Sequence, residues 1–353
     1  MRKTIISIAI VAVISAPGLT MAANEGAVPA SLKEHVSSDK KVVWGGGAKE
    51  TSSYSGKIVP VVINELASER LAGYQWGGPS EGTVMNAMKV TVNPTHLALG
   101  QADILQALNG QSIPGTTWTY QFTPVQDDIA DECLYMVTKS PHYETWGHVL
   151  ENAWDIKIAT GGEQSGSFGT LTKVLMDRYP ALKDAEVSSV GSSSNIVQSV
   201  INGNTNFGFF VMRPDPENKV FQMINDNGLT LVPVIDFDIE DVYRFKRLKV
   251  SNSTWGGFGE KAKYHETACT QVQLITGNPA MLTEDQSRDK RRLEATIQRA
   301  SGIDGDSFKQ KVVEQFSSWR DYLDSVSDVG AEKLNGILQA SKAKIEELAG
   351  KVN

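Results

Sequence analysis

Two glycine-rich turns hold the residue types best suited to chemistry. One is Gly161-Gly162-Glu163-Gln164-Ser165-Gly166-Ser167, set between an apolar run and a helical pattern. The other is Gly45-Gly46-Gly47, followed by Ser52-Ser53-Tyr54-Ser55 and a second helical pattern. A phosphate loop needs a Gly-Lys-Ser/Thr ending so that the lysine reaches the outer phosphates, and neither turn has one. The dinucleotide fingerprint G-x-G-x-x-G with a downstream acid is also absent. A serine elbow needs G-x-S-x-G. Gly162-Glu163-Gln164-Ser165-Gly166 has the wrong spacing, and only His265 lies well downstream to complete a triad. With no paired-acid, triad or metal constellation in view, no catalytic role, cofactor or metal is expected.

Recognition through backbone amides fits these residues better. The first N–H groups of a helix have no intrahelical partner, and small residues in front leave them accessible. The helix dipole favours an anionic or carbonyl oxygen there by about 0.3–1 kcal/mol in exposed geometry. Serine and asparagine add donors and acceptors without bulk. The candidate contacts are Gly46, Gly47, Ser52, Ser53, Ser80, Glu81, Gln101 and Asp103 in one half. In the other they are Gly162, Ser165, Gly166, Ser167, Ser193, Ser194 and Asn195. Tyr54, Phe168 and Phe210 are candidate apolar walls, and Arg213 could pair with a carboxylate. Each serine and glycine also reads as plain turn chemistry. The argument rests on the same turn type recurring at the same place in both halves.

The elements that must position these residues alternate between strand and helix. Residues 41–44 read as a strand stopped by glycines, 56–71 as a helix, and 71–78 as a second strand. A helix from Ser80 and Glu81 and a third strand ending in Asp103 follow. The order then repeats with a strand at 156–160, a helix at 165–179, a strand at 185–191, a helix behind Ser192–Asn195, and a strand at 206–212. Such alternation means parallel sheets, and two units mean two α/β lobes. Residues 110–128 show no clear period and read as a long loop or insertion. The tail is almost wholly helical, with an apolar stripe at Phe316, Trp319, Leu323 and Val326, suited to packing on a lobe or to a protein partner.

The first 22 residues carry a basic start, an apolar run and small residues at the end, as a secretory signal peptide does. Removing them from 353 leaves 331 residues, enough for two domains, and takes the formal charge from −7 to −9. An acidic, exported chain argues against a nucleic-acid partner. No later segment is long and apolar enough to span a membrane, so a soluble mature protein is expected. Export permits a disulfide between Cys133 and Cys269. Two buried free thiols are the alternative.

Taken in order, "GGGAKETSSYSGKIVPVVINEL", "GGPSEGTVMNAM", "LALGQADIL", "IKIATGGEQSGSFGTLTKVL" and "GSSSNIVQSVINGNTNFGFFVM" resemble the type 2 periplasmic solute-binding proteins, closest to the TAXI receptors of TRAP transporters. The resemblance covers roughly residues 41–285. It implies two α/β lobes joined by crossing strands, a ligand cleft between them, and closure on binding. The expected division is 41–138 plus 265–353 for one lobe, with the C-terminal helices, and 139–264 for the other. Ser52, Ser53 and Tyr54 stand where the family has small residues and an aromatic pair, with Ser55 in the place of the second aromatic. The implied protein is a monomeric periplasmic receptor that hands a small polar or anionic organic solute to a TRAP-type transporter. An ABC-linked or sensor-linked receptor, or a secreted interaction protein, is the alternative. The segment 110–128 and the long tail depart from the family pattern.

Overall fold

The structure, a computed structural model, describes residues 41–47, 54–215, 218–254 and 260–314, with the backbone alone over 251–254 and 260–263. The leader, Ser52, Ser53 and the apolar stripe of the tail lie outside the described residues.

In the first half, β1 (Val42–Trp44) ends in the glycine turn. A π-helical turn at Tyr54–Ile58 leads into α1 (Val59–Ser68). Pro60 stands in the first turn of α1, directly behind that π-helical turn. β2 (Gln75–Trp76), α2 (Thr83–Val92), β3 (Leu97–Gln101) and α3 (Ala102–Leu108) follow. β4 (Phe122–Thr138) then crosses into the second half. There α4 (Trp146–Glu151) precedes β5 (Lys157–Gly161). A helix runs on as α5 (Gly166–Gly169), a π-helical stretch at Thr170–Leu175, and α6 (Met176–Arg178). β6 (Glu186–Gly191), α7 (Ser193–Asn202), β7 (Phe207–Met212), α8 (Lys219–Asp226) and β8 (Thr230–Val232) complete this half. β9 (Arg244–Thr254) and β10 (Glu260–Gly277) return the chain, and α9 (Ser287–Ala300) and α10 (Gly305–Glu314) close the described part.

The ten strands among the described residues join one sheet. In the first half the order is β2-β1-β3-β10-β4, and in the second it is β6-β5-β7-β4-β8. Each half is thus a parallel triplet followed by a strand that arrives from the other half and pairs antiparallel. The fold is α/β and two-lobed, with β4 and β10 as the crossing strands. The hydrophobic core divides by sheet face. Val42 and Trp44 point to one face with α2, Ile158 and Leu171, whereas Val43 points to the other with α1, Val197 and Phe308. Both clusters contain residues of both halves, so burial in each half depends on the other.

Cys133 and Cys269 lie directly opposite on β4 and β10 and form a disulfide, with Cα atoms 3.9 Å apart. The bond sits where β4 leaves β10 and begins to pair with β7.

Three expectations need correction. Residues 110–128 are not one long loop. A Ser112–Thr119 bridge closes a short turn, and Phe122 already opens β4. The polar run Gln126-Asp127-Asp128 hid that strand. Its side chains are met from far away in sequence. Gln126 donates to the Ala300 and Ile303 carbonyls, and Asp128 accepts from Lys309. Second, α2 starts at Thr83 behind Gly82, so Ser80 and Glu81 precede the helix. All ten residues of α2 are buried, Lys89 included, with its ammonium 3.7 Å from the Trp44 ring centre. Third, Asp103 does not end a strand but sits in the first turn of α3. Among the described residues no helix is long and apolar enough to cross a membrane.

Candidate functional site

In a sheet of parallel strands, ligands bind beyond the carboxyl ends. A cavity of about 510 Å³ opens there, between the ends of β1 and β3 on one side and β5, β6 and β7 on the other. Its lining takes in Gly46, Gly47, Tyr54, Glu81 and Gln101 of the first half. From the second half come Ser165, Gly166, Ser167, Ser193, Ser194 and Arg213. The structure therefore brings most of the expected contacts to one place.

The first glycine turn is not bare. The Gly46 amide donates to Ser55 Oγ at 3.2 Å, and the Gly47 amide to the Ser80 carbonyl at 2.7 Å. Asn86 Nδ2 donates to the Gly45 and Leu99 carbonyls, and Ser80 Oγ to Asn86 Oδ1 at 2.7 Å. Ser55 and Ser80 are thus scaffold beneath the turn rather than ligand contacts. A Cβ at Gly45 would lie 2.6 Å from Ser55 Oγ, so the turn needs both a glycine above and a small residue below.

The second-half turns are more open. Ser165 caps its helix, accepting from the Phe168 amide at 3.1 Å, and Ser167 Oγ accepts from the Val211 amide at 2.8 Å. At α7, Ser192 Oγ accepts from the Asn195 amide at 3.3 Å. Ser193 and Ser194 then stand at the first positions of a ten-residue helix, where N–H groups have no helical acceptor. Asn195 does not line the cavity, since its Nδ2 turns back to the Val190 carbonyl at 3.1 Å. Phe168 is half-buried and outside the lining, as is Gly162. Phe210 is fully buried, stacked on Tyr135 at 5.2 Å between ring centres, and belongs to the core. Its neighbours Val211 and Met212 reach the cavity instead. Position along the strand decides that outcome, because the cavity lies beyond the carboxyl end of β7 and Phe210 stands further back.

Asp103 is also not a cavity residue. It is 2% exposed, and its Oδ2 accepts from Thr170 Oγ1 of the second half at 2.8 Å and from Tyr243 Oη at 2.7 Å. Burial raises its pKa against the pull of these hydroxyls. It fastens the two halves together. Other contacts between the halves lie close by. The Met85 amide donates to the Gln164 carbonyl at 3.3 Å. A Cβ on Gly166 would lie 1.5 Å from Gln101 Oε1, so the amide of one half packs directly on the glycine of the other.

Sequence reasoning missed Glu132. It lies on β4 at the cavity floor, 7% exposed. Its signal was the adjacent acids Asp131 and Glu132 inside the buried run 129–138. Burial pushes its carboxyl up to about 8, with Tyr54 pulling it down, Asp103 pushing it up, and Gln101 and Arg213 pulling it down. Tyr54, raised well above its usual value by burial and then by Glu132, has a buried hydroxyl without a well-formed hydrogen bond. Arg213, 3% exposed, closes the end of β7 and pairs with Asp215 at 3.1 Å.

The raised carboxyl has a consequence for stability. Its folded pKa lies above the unfolded value near 4.5, so the native state holds a proton that the unfolded chain has lost. That contribution is full below pH 4.5 and is lost as pH rises through about 8. His265, held down to about 3 by burial, is neutral in both states above its ordinary value of 6.5 and does not interfere there. Between pH 6.5 and 8 the ligand-free protein is expected to lose about 1–2 kcal/mol through this group. Glu132→Gln should flatten that part of the slope in urea unfolding. An unchanged slope in the variant would refute the assignment.

No family model matches the sequence, and no curated protein matches it. Among solved structures the chain is similar to malate-bound MatC from Rhodopseudomonas palustris, at 13% identity over 87% of this chain and 97% of that one, with a TM-score of 0.43. It is also similar to the periplasmic VFT2 domain of Bordetella pertussis BvgS, at 11% identity, 82% and 99% coverage and a TM-score of 0.41. A third is an ancestral arginine-binding protein bound to arginine, at 13% identity, 80% and 100% coverage and a TM-score of 0.40. These neighbours are binding proteins and periplasmic domains; the chemistry of the cavity described above is this chain's own.

Proposed function

We propose that the chain is an extracytoplasmic receptor that captures a small polar solute between its two halves and hands it to a TRAP-type membrane transporter. The observation that carries the reading is the cavity itself. It lies at the carboxyl ends of both parallel triplets, draws its lining from both halves, and is crossed at its base, among the described residues, by β4 and β10. A solute touching Gln101 and Glu132 on one side and Ser193, Ser194 and Arg213 on the other would favour the state in which the halves meet, by its differential contact with that state. The lining offers amides, hydroxyls, a carboxyl and a guanidinium, a set suited to holding a ligand. The leader supports export to the periplasm, and the ordered run of turn motifs supports the TAXI branch and its transporter. A monomer suffices, because one chain supplies both walls.

The test is native mass spectrometry of the purified protein, followed by a thermal-shift screen of small organic acids and amino acids. A bound solute, or a shift of several degrees with one compound, is expected. A chain that carries no small molecule and is stabilised by none would count decisively against the reading.

A further inference from the structure

Helix α9 breaks two local rules of helix stability. It carries five cations against two acids, in a chain whose formal charge is −7. Arg288, Lys290 and Arg291 stand within its first two turns, where the helix dipole favours anions. Arg288 and Arg292 are four positions apart, and Arg288 and Arg291 three, spacings at which like charges repel. Among the described residues none of these side chains forms an ion pair that would offset the cost.

The arginines share one side of the helix. At about 100° per residue, Arg288, Arg291, Arg292 and Arg299 fall within an arc of about 100°. Asp289 and Glu294 fall outside that arc, on either side of it, and Leu293, Thr296 and Ala300 form the buried side. Arg288, Arg291 and Arg299 are exposed, and the ridge they form runs about 16 Å along the helix. Two more cations extend it. Arg299 Nη1 donates to the carbonyl of the exposed Arg70 at 3.5 Å. Lys41 Nζ donates to the Ala72 carbonyl at 2.7 Å and lies 5.7 Å from the Tyr74 ring centre. Tyr74 ties α9 to this corner, since burial raises its hydroxyl while Thr296 and the Arg292 charge pull it back. Lys41 and Tyr74 lead into β1 and β2, so the patch stands at the amino ends of these strands. The cavity lies beyond the carboxyl end of β1, and none of these cations lines it.

What the ridge lacks decides what it fits. A protein interface is centred on aromatic or aliphatic anchors. Between its arginines the ridge offers only Ala295, and the large exposed hydrophobics among the described residues, Trp154 and Tyr264, belong to other elements. A plane of phosphates needs no such anchor, and a guanidinium meets phosphate oxygens two at a time. We propose that this face of α9, with Arg70 and Lys41, docks on the surface of a bilayer that contains anionic phospholipid. With no apolar side chain to insert, the contact is peripheral, rests on charge and weakens with salt. It neither needs nor blocks a solute.

Co-sedimentation of the purified protein with vesicles tests this. Vesicles containing phosphatidylglycerol should pellet it in low salt, vesicles of phosphatidylcholine alone should not, and added sodium chloride should release it. Each cation near an anionic surface is worth about fivefold in affinity, so Arg288→Gln with Arg291→Gln should weaken binding roughly 30-fold. The thermal midpoint of that variant should hold or rise, because repulsion within α9 is relieved. Lys157→Gln with Lys183→Gln removes the same charge from exposed pairs of the second half and should change vesicle binding little. The apolar leader is common to all these proteins and cannot produce that contrast. No pelleting, equal pelleting by both kinds of vesicle, or equal weakening by the two double variants would overturn the proposal. Tighter retention on poly-L-glutamate than on the anionic vesicles would also overturn it, by assigning the face to an acidic protein. Solute affinity should be the same in the wild type and in both double variants, so the receptor reading stands or falls on its own titrations.

Discussion

Gly166→Ala is expected to weaken solute binding by roughly 5- to 150-fold. The added methyl would lie 1.5 Å from Gln101 Oε1 and 2.5 Å from its Cδ. Gln101 is buried, and its Oε1 accepts from Thr83 Oγ1 at 3.2 Å, so the amide has little room to retreat. Overpacking of this kind costs about 1–3 kcal/mol, which converts to the stated range at 1.4 kcal/mol per tenfold. Gly166 sits at the start of a helix with an ordinary negative φ, so alanine itself brings no backbone strain. The whole cost falls on the approach of the two halves. Small-angle scattering of the solute-saturated variant should then give a larger radius of gyration than the wild type, while ligand-free thermal stability changes little or rises. Gly82→Ala would be a poorer probe. Gly82 has a φ of +131°, so a side chain there is strained whatever the halves do. Unaltered affinity in Gly166→Ala would mean that binding does not require Gln101 to close on this turn.

The second large effect concerns the crossing strands. Replacing both cysteines, as Cys133→Ala with Cys269→Ala, frees a loop with a sequence separation of 136 residues. The chain-entropy model puts the loss at about 4–5 kcal/mol. At a few degrees per kcal/mol for a chain of this size, the calorimetric midpoint should fall by roughly 10 °C. Neither cysteine lines the cavity between the halves. Solute affinity below the midpoint should therefore hold within about a factor of three, a change of less than 1 kcal/mol. A drop of only about 2 °C would show that the β4–β10 ladder alone holds the crossing, as Thr270 paired with Glu132 and Gln271 with Asp131 would allow.

Much of the scaffold was legible in the chain because it is local. An apolar run that stops at glycine and restarts at helical spacing specifies strand, turn and helix within about twenty residues, and both halves carry that pattern. The Ser165 and Ser192 caps follow from the same short-range rule. The two cysteines sit on strands whose apolar character was plain, although their facing register was not.

What local pattern could not reach was the fate of each polar or aromatic side chain once the halves met. Phe210 read as an apolar wall, yet it packs on Tyr135 in the core, and Val211 and Met212, nearer the carboxyl end of β7, line the cavity instead. Asp103 looked like a ligand contact at a strand end, yet Thr170 and Tyr243 claim its carboxylate from residues 67 and 140 positions away. The first glycine turn looked bare, yet Ser55 and Ser80 occupy its amides. Glu132 showed only as one of several acids in β4, and its meaning came from the Tyr54, Gln101 and Arg213 that surround it. By itself the sequence determined the order of elements, the parallel halves and the glycine turns, because backbone propensity and hydrophobic period act over a few residues. The tertiary structure alone decided which amides stay free, which carboxyl is left without an ion pair, and where the halves touch. Those depend on register and on partners distant in the chain, and the cost of burying an unmatched polar group is set only when those partners arrive.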